Sequence, residues 1–445
     1  MNKLHNCLIC NGNLIELLNF GEIPLSNSYT VQDSLQDSLQ DSLQDSLEVT
    51  SNKKFPLSVN FCKECFHLQL DSFPKQNVLF DNYTYLSGTS TTMKYYFKQF
   101  AKKTINNFQS QINKKENSIK ILDIACNDCS QLDAYLSPDV LGMNTTLTVG
   151  IEPATNICSL PTTNSNNKHI LFNSFFDEPI VEKLKTKFTE FDIIIAQNVF
   201  AHINYPKLFL KLCKKLMTVD SLLYIQTSQA EMIEHFQFDT MYHEHISFYT
   251  IRSMHKLIKI CDLELVNVEK VDVHGKSYLF TIRNLYSKNL DLYKPCINFE
   301  YLDNSKIYTF EHYKKYFNNI INYLENFSSN ILYKIGTREN SHLVYGYGST
   351  AKINLTFSIM ENFVENNFSK KITAIIDECP TKIGKLNPNG ILIKELKDIH
   401  FKTGDYILIL GWNYNVEIKQ KLNAYFKDKI QFQNLIHPYI IGKII

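Results

Sequence analysis

The sequence predicts an α/β protein: a small cysteine-rich module followed by two Rossmann-like α/β domains. Three observations carry this reading. Apolar runs of strand length alternate with helical stretches twice, between 119 and 226 and again between 342 and 411; such alternation marks βαβ units around a buried, mostly parallel sheet. Two Cys-x-x-Cys pairs precede the first alternation. The 445 residues also exceed what one ordinary core supports. The expected boundaries are 1–80, 81–300 and 301–445.

Residues 1–80 read as short strands and turns around the cysteine pairs. Within them Gln-Asp-Ser-Leu repeats without variation from Gln32 to Leu47. A period of 4 drifts against 3.6, so its leucines wind around a helix instead of lining one face; 32–48 is therefore expected to be a low-complexity loop. A helical pattern follows from Ser90 to Phe108. Strands are expected at Ile119–Ile124, Leu147–Glu152, Phe191–Ala196 and Ser221–Gln226, with a helix at Tyr205–Met217. Residues 305–335 read as one long amphipathic helix. The second alternation runs through His342–Gly348, Ile372–Asp377 and Asp405–Gly411.

Lys and Arg number 46 against 45 Asp and Glu, a net charge of +1. Neither nucleic acid nor an acidic membrane surface is indicated by that balance. The longest apolar runs are of strand length and fall short of a membrane span. Met1 opens a polar segment with no apolar h-region, and cytoplasmic location is expected. A monomer or weak homo-oligomer is expected. Glycine is scarce, 14 residues or roughly 3% where about 7% is usual, and should survive where a side chain does not fit.

Cys7-x-x-Cys10 and Cys62-x-x-Cys65 each place two thiolates on one metal edge. Four sulfurs suit tetrahedral zinc and leave no open position for water, so the metal would be structural. A third pair, Cys126 and Cys129, has the same spacing but follows a strand directly and has no second pair to complete a site. Neither metal nor redox use is expected of it.

The strand Ile119–Ile124 runs into Ala125-Cys126-Asn127-Asp128, and the next strand ends in Glu152, 29 residues after Asp123. An acid at the tip of the second strand of a doubly wound sheet takes ribose hydroxyls. The loop lacks the G-x-G-x-x-G that brings backbone against pyrophosphate, so S-adenosylmethionine (SAM) fits better than NAD. Asn127 can take a left-handed backbone in place of glycine.

With these pieces the chain resembles the three-domain sugar C-methyltransferases, which methylate carbon 3 of NDP-4-keto-deoxyhexoses. The ordered matches are the two cysteine pairs, Gly21-Glu-Ile-Pro-Leu-Ser-Asn, Tyr83-Thr-Tyr85, Leu122-Asp-Ile-Ala-Cys-Asn-Asp and Gly150-Ile-Glu-Pro-Ala. They continue with Asn198-Val-Phe-Ala-His202-Ile, Tyr242-His-Glu-His245, Val273-His-Gly-Lys-Ser277, Tyr345-Gly-Tyr-Gly and Gly411-Trp-Asn-Tyr. The resemblance implies a class I methyltransferase sheet in the central domain and a second Rossmann-like domain that closes over the NDP-sugar. Cys129 and Lys276 stand where that family usually has glycine, and an Arg usual near Leu279 or Phe280 is absent.

The SAM-binding residues implied are Asp123, Ala125, Cys126, Asn127, Asp128, Glu152, Pro153, Phe175 and Asn198. Carbon methylation beside a ketone needs a base for the α proton and a donor for the enolate oxygen. Imidazole suits the first task at neutral pH, and His245 is the expected base. Glu244 would orient it or hold a sugar hydroxyl, and Tyr242, Tyr85 or His202 would donate to the oxyanion. One of Tyr83 and Tyr85 faces the pocket, and the sequence leaves the choice open. His243 is read as structural. If Tyr242–His245 is extended, Tyr242 and Glu244 share one face and the two histidines the other.

In the C-terminal domain, Gly346-Tyr347-Gly348-Ser-Thr-Ala-Lys352 is either an anion-binding loop or a tight β–α turn. Asp377, Trp412 and Asn413 belong to the same sheet edge, and His274 from the earlier motif completes the expected substrate set. The alternatives are an O- or N-methyltransferase of another small molecule, or an inactive zinc-containing scaffold.

Overall fold

The central strands form where apolar, β-branched runs occur. They are Ser118–Ile124 (β1), Thr145–Glu152 (β2), Ile170–Asn173 (β3), Phe191–Gln197 (β4) and Met217–Ser228 (β5). Leu263–Val271 (β6) and Ser277–Asn284 (β7) add a hairpin. The spatial order is β6-β7-β5-β4-β1-β2-β3. The first five strands are parallel to their neighbours, and β7 runs antiparallel to both β5 and β6. The order reverses at β1, so β1 and β4 flank the switch point outside whose carboxyl ends ligands bind. Burial on both faces explains why β4 reads as Ile193-Ile-Ile-Ala without alternation.

This computed structural model describes residues 2–31, 53–80, 83–112, 118–141, 145–160, 168–228, 232, 237–285, 309–336, 342–434 and 440–444. The tetrapeptide repeat expected as a loop over 32–48 lies outside the described residues.

Helices cover the two faces of the sheet. Thr91–Ile112 (α1) and Ser130–Tyr135 (α2) bring Phe100, Ile105, Phe108, Leu132 and Tyr135 against Ile121, Ile193 and Tyr224. On the other face lie Glu178–Phe188 (α3), Pro206–Lys215 (α4) and Ile251–Ile260 (α5). Local chemistry sets their starts. The Asp177 side chain accepts from the Ile180 N–H, and Thr250 and Ser253 form a reciprocal capping box. Cys7, Ile9, Cys62 and Cys65 belong to the same buried cluster as α3–α5. The cysteine-rich segment therefore shares the core of the central domain instead of closing on itself.

The chain divides into two compact units built from discontinuous stretches. One comprises Met1–Leu17, Val59–Met232 and Glu244–Tyr313; the other comprises Leu18–Ser58, Ile233–His243 and Lys314–Ile445. Contiguous boundaries at 80 and 300 do not coincide with these divisions.

The second unit carries a six-stranded sheet. Its strands are Val344–Tyr347 (β8), Ile372–Ile376 (β9), Ile393–Lys394 (β10), Tyr406–Ile409 (β11), Ile430–Asn434 (β12) and Ile440–Ile444 (β13). The order is β10-β9-β8-β11-β13-β12, parallel over its first four strands and closed by an antiparallel pair. Ala351–Phe363 (α6) and Asn415–Phe426 (α7) follow β8 and β11. The long helix expected over 305–335 is instead two, Phe310–Phe317 and Ile320–Ile335. Asn318 and Asn319 form the break, where the Asn319 side chain donates to the Lys315 carbonyl and competes with the helical ladder. Residues 301–308 lie outside the described set. No helix among the described residues is long and apolar enough to cross a membrane.

Candidate functional site

The loop after β1 holds three left-handed residues without a glycine: Ala125 (φ +61°), Asn127 (φ +51°) and Cys129 (φ +64°). For Asn this backbone is tolerated, whereas Ala and Cys carry a Cβ penalty of about 1–2 kcal/mol each. The strain places the Asn127 N–H against Glu152 Oε2 at 2.9 Å, while Oε1 accepts from Ala154 N–H at 2.8 Å. Burial raises the Glu152 carboxyl to about 6, so it is mainly ionised at neutral pH. Asp123 is buried behind it in β1, its pKa pushed up by desolvation and by Glu152. Gly150 makes the approach possible: a Cβ there would stand 2.6 Å from Cys126 Sγ and 2.8 Å from Leu171 Cδ2. Asn198, left-handed at the tip of β4, accepts from Gln226 Nε2 through its side chain. The Pro153 carbonyl accepts from Asn173 Nδ2, and the Phe175 carbonyl accepts from Ser174 Oγ.

A strap from Tyr83 to Gly88 is tied to this loop. Asn156 grips the Tyr83 backbone twice, accepting its N–H at 3.1 Å and donating to its carbonyl at 2.8 Å. Asn127 donates to the Tyr85 carbonyl and accepts from Ser87 N–H, at 3.0 Å each. Asp128 accepts from Ser87 Oγ at 2.8 Å and Gly88 N–H at 2.7 Å. Reading the sequence singled out Asn127 and Asp128 but missed Ser87, Gly88 and Asn156. The strap lies about 40 positions from the loop it binds, and only the Tyr83-Thr-Tyr85 motif beside it gave a signal.

From the strap a row of rings runs to the expected base. Tyr83 and Phe80 are 5.8 Å apart, Phe80 and His202 5.4 Å, and His202 and His245 4.9 Å with their planes near perpendicular. Tyr85 instead meets His274, 6.1 Å away on the β6–β7 hairpin. The two tyrosines thus diverge. Burial depresses the His202 imidazole to about 4 and keeps it neutral. Tyr242–Glu244 is a turn, not an extended segment, so the alternation expected of its side chains does not apply. The division between the units falls inside this motif, after His243. His243 Nε2 lies 3.2 Å from the carbonyls of both Phe55 and Pro56, a structural arrangement.

His243 gives a pH-dependent prediction. Desolvation lowers its folded pKa to about 4, against about 6.5 when unfolded. Between those values the unfolded chain binds the extra proton, so this contribution is fully present above pH 6.5 and is lost as pH falls toward 4. His243→Gln keeps a donor for the two carbonyls and cannot titrate. Its stability relative to wild type should improve by about 2 kcal/mol from pH 7.5 to pH 5. Urea unfolding at the two pH values checks this, and a pH-independent difference would contradict it.

The four Sγ atoms of Cys7, Cys10, Cys62 and Cys65 lie within 4.8 Å of one another. Two edges, Cys7–Cys65 and Cys10–Cys62, measure 3.4 Å. That is far beyond a disulfide and near the edge of about 3.8 Å expected for a tetrahedron with arms of about 2.3 Å. Each pair closes a turn whose next residue is left-handed, Asn11 (φ +63°) or Phe66 (φ +61°). Backbone N–H groups of Ile9 and Gly12 donate to Cys7 and Cys10 sulfur. The donor set fits zinc.

In the second unit, Gly348 (φ +98°) meets Gly411 backbone to backbone; a Cβ on Gly348 would fall 2.9 Å from Gly411 N. Gly346 stands in β8, where a Cβ would press on Leu410. The expected ligand group Asp377 holds two loops: Oδ2 accepts from Ser349 N–H after β8 at 2.7 Å, and Oδ1 accepts from Cys379 N–H in its own loop at 2.9 Å. Tyr347 donates to Glu378 at 2.7 Å. Trp412 Nε1 donates to buried Asp239 at 2.8 Å, and Lys352 Nζ lies 4.9 Å from the indole centroid. Asn413 follows Trp412 in the same 3-10 turn. Asp239, four residues before His243, carried no signal in the sequence reading.

Two family descriptions match the chain in order: a methyltransferase domain over residues 93–268, and a C-methyltransferase C-terminal domain over 299–436. The chain thus carries a methyltransferase domain followed by a C-methyltransferase C-terminal domain. The chain is 22% identical over 279 residues to the C-methyltransferase NovU of Streptomyces niveus. The match covers 62% of this chain and 59% of the relative, so it spans less than two thirds of that protein. Among solved structures, the plantazolicin methyltransferase BpumL in complex with SAH is 14% identical, covering 42% of this chain and 85% of its own, with a TM-score of 0.33. A SAM-dependent methyltransferase from Archaeoglobus fulgidus is 13% identical, covering 43% and 94%, with a TM-score of 0.31. The loop after β1 and the His202–His245 pair fall within the methyltransferase match, and the strap lies just before it.

Proposed function

We propose that the chain is a SAM-dependent C-methyltransferase acting on a nucleotide-activated keto-deoxysugar. The observation that carries this reading is the buried pair His202 and His245, 4.9 Å apart and linked by a row of rings to the strap over the loop after β1. Glu152, ionised at neutral pH, would accept from ribose hydroxyls, and the Asn127 backbone would follow it. When bound, SAM supplies an electrophilic methyl group. His245 takes the proton from the carbon next to the ketone. His202, held neutral, donates an N–H to the developing enolate oxygen, with Tyr85 beside His274 as a second donor. Holding the sugar carbon in line with the methyl group accounts for much of the rate gain. Zinc on the four cysteines is structural in this reading. Within the second unit, Lys352 and Trp412 take the nucleotide diphosphate, whereas Asp377 orders the loop beside them.

The test is solvent deuterium exchange at carbon 3 of a dTDP-4-keto-deoxysugar, read by NMR with and without SAM. Exchange without SAM and a new C-methyl resonance with it are expected. Methyl transfer to oxygen or nitrogen, with no exchange, would replace this reading with the O- or N-methyltransferase one. Silence across a sugar panel, together with no thermal shift on adding SAM, would leave the zinc-containing scaffold.

A further inference from the structure

The contacts of the loop after β1 with Glu152 and with the strap are made by two residues, Asn127 and Asp128: one meets Glu152, and both hold the strap. Those two residues are bracketed by Cys126 and Cys129. Spacing alone gave the pair no role, because no second pair accompanies it in the sequence. The fold changes this. The Cys129 N–H donates to the Cys126 carbonyl at 3.0 Å, an i to i+3 turn that holds the two Cα atoms within about 7 Å. The two sulfurs come to 4.0 Å, and both side chains are buried among the same residues of the core. A disulfide needs Cα atoms about 4.4–6.8 Å apart and sulfurs at about 2.05 Å. The turn keeps the Cα atoms near that range, and the sulfurs must close by about 2 Å.

We propose that Cys126 and Cys129 are a reversible disulfide-forming pair whose closure pulls Asn127 and Asp128 off Glu152 and the strap. The oxidant class is a low-molecular-weight disulfide. Both thiols are buried, and contact with Cys129 and desolvation favour the neutral thiol at Cys126, so the exchange requires the loop to open. One cysteine then reacts as the thiolate, attacks a sulfur of that disulfide, expels one thiol and leaves a mixed disulfide. The second cysteine thiolate then attacks the protein-side sulfur, closes the Cys126–Cys129 bond and expels the second thiol. Two electrons pass to the oxidant, and the two cysteine protons end on the two released thiols. Cys129 is already left-handed, so the four-residue ring closes on a backbone held in a turn, and strain relief falls on the residues between the sulfurs. The effect on ligand affinity rests on the SAM reading above; the bond itself does not.

The experiment uses the full chain, first reduced and then treated with oxidised glutathione. Peptide mapping should find both cysteines in one peptide that has lost two hydrogens and carries no glutathione. Hydrogen exchange over residues 123–130 should accelerate. SAM affinity should fall at least about tenfold, the worth of one hydrogen bond to a charged group, and recover with dithiothreitol. The four zinc-site cysteines can oxidise as well, so Cys129→Gly, or Cys129→Ser if the glycine variant is poorly folded, serves as the control. It should show the same affinity before and after treatment. The proposal is overturned if the pair stays reduced or carries only mixed adducts, if the bond forms with no change in exchange, or if the Cys129 variant loses affinity as wild type does. Should the reduced wild type bind no SAM at all, the cofactor reading fails, while peptide map and hydrogen exchange still decide the fate of the pair.

Discussion

His245→Ala lowers methyl transfer by about 10²- to 10⁴-fold, the usual share of a positioned general base, with SAM affinity unchanged. The separation of the two readouts follows from the geometry. The groups proposed to hold the ribose are Glu152, at the end of β2, and Asn127, in the loop after β1, whereas His245 packs on His202 beyond the tip of β4. A merely structural His245 would behave differently: its removal would disturb the His202 ring and Phe248, 6.4 Å away, and lower thermal stability along with activity. The measurement is therefore single-turnover transfer beside a SAM titration and a melting curve. Turnover near wild type in the folded variant would remove the base from His245. Loss of deuterium exchange in parallel with loss of transfer would tie the residue to proton abstraction and not to the later methyl step.

Cys62→Ser releases one zinc per chain and lowers the melting temperature by about 6–12 °C. The scale comes from a loss of about 3 kcal/mol, each kcal/mol being worth about 2–4 °C in a domain of this size. It is kept well below the apparent 10–16 kcal/mol of isolated zinc-finger peptides, because these cysteines are not a free-standing module. Cys7, Cys62 and Cys65 sit in one buried cluster with Phe200, Tyr249 and Ile251, so core packing survives in part without metal. In the metal-free cluster, the hydrogen bond from Cys65 holds the Cys7 thiol down to about 4, while burial pushes the Cys62 thiol up to about 11. One proton therefore leaves easily and others are retained, an unequal arrangement that binding of a divalent metal would replace by four thiolates. Metal analysis of the purified chain and melting with and without a chelator check the prediction. A wild-type chain that carries no zinc and melts identically with chelator would refute it.

Much of the fold was legible because its signals are local. The runs Ile119–Ile124, Phe191–Ala196 and Ile372–Ile376 are too apolar and too short for anything but buried strands, and each is one. Glycine scarcity also read correctly at Gly150 and Gly348, where close neighbours exclude a Cβ. Other features were not legible. The antiparallel hairpin β6–β7 at the sheet edge left no mark in the alternation pattern. The break at Asn318–Asn319 was hidden by the apolar periodicity on either side of it. Tyr242–Glu244 bends where three polar and aromatic residues gave no turn signal, and this removed the face assignment made for an extended strand.

The sequence by itself singled out the candidate residues: the first two cysteine pairs, the acid at the end of β2, and the histidines of two separate motifs. Spacing and strand periodicity act through neighbours in the chain, and they are written there. Only the tertiary structure decided what those residues meet. Asp377 closed on the Ser349 N–H in the loop after β8, Tyr85 met His274, His202 came to lie against His245, and Ser87 closed on Asp128. These contacts join residues tens of positions apart. Their hydrogen bonds and burial exist only once the sheet has set the strand ends side by side, and no local pattern encodes them.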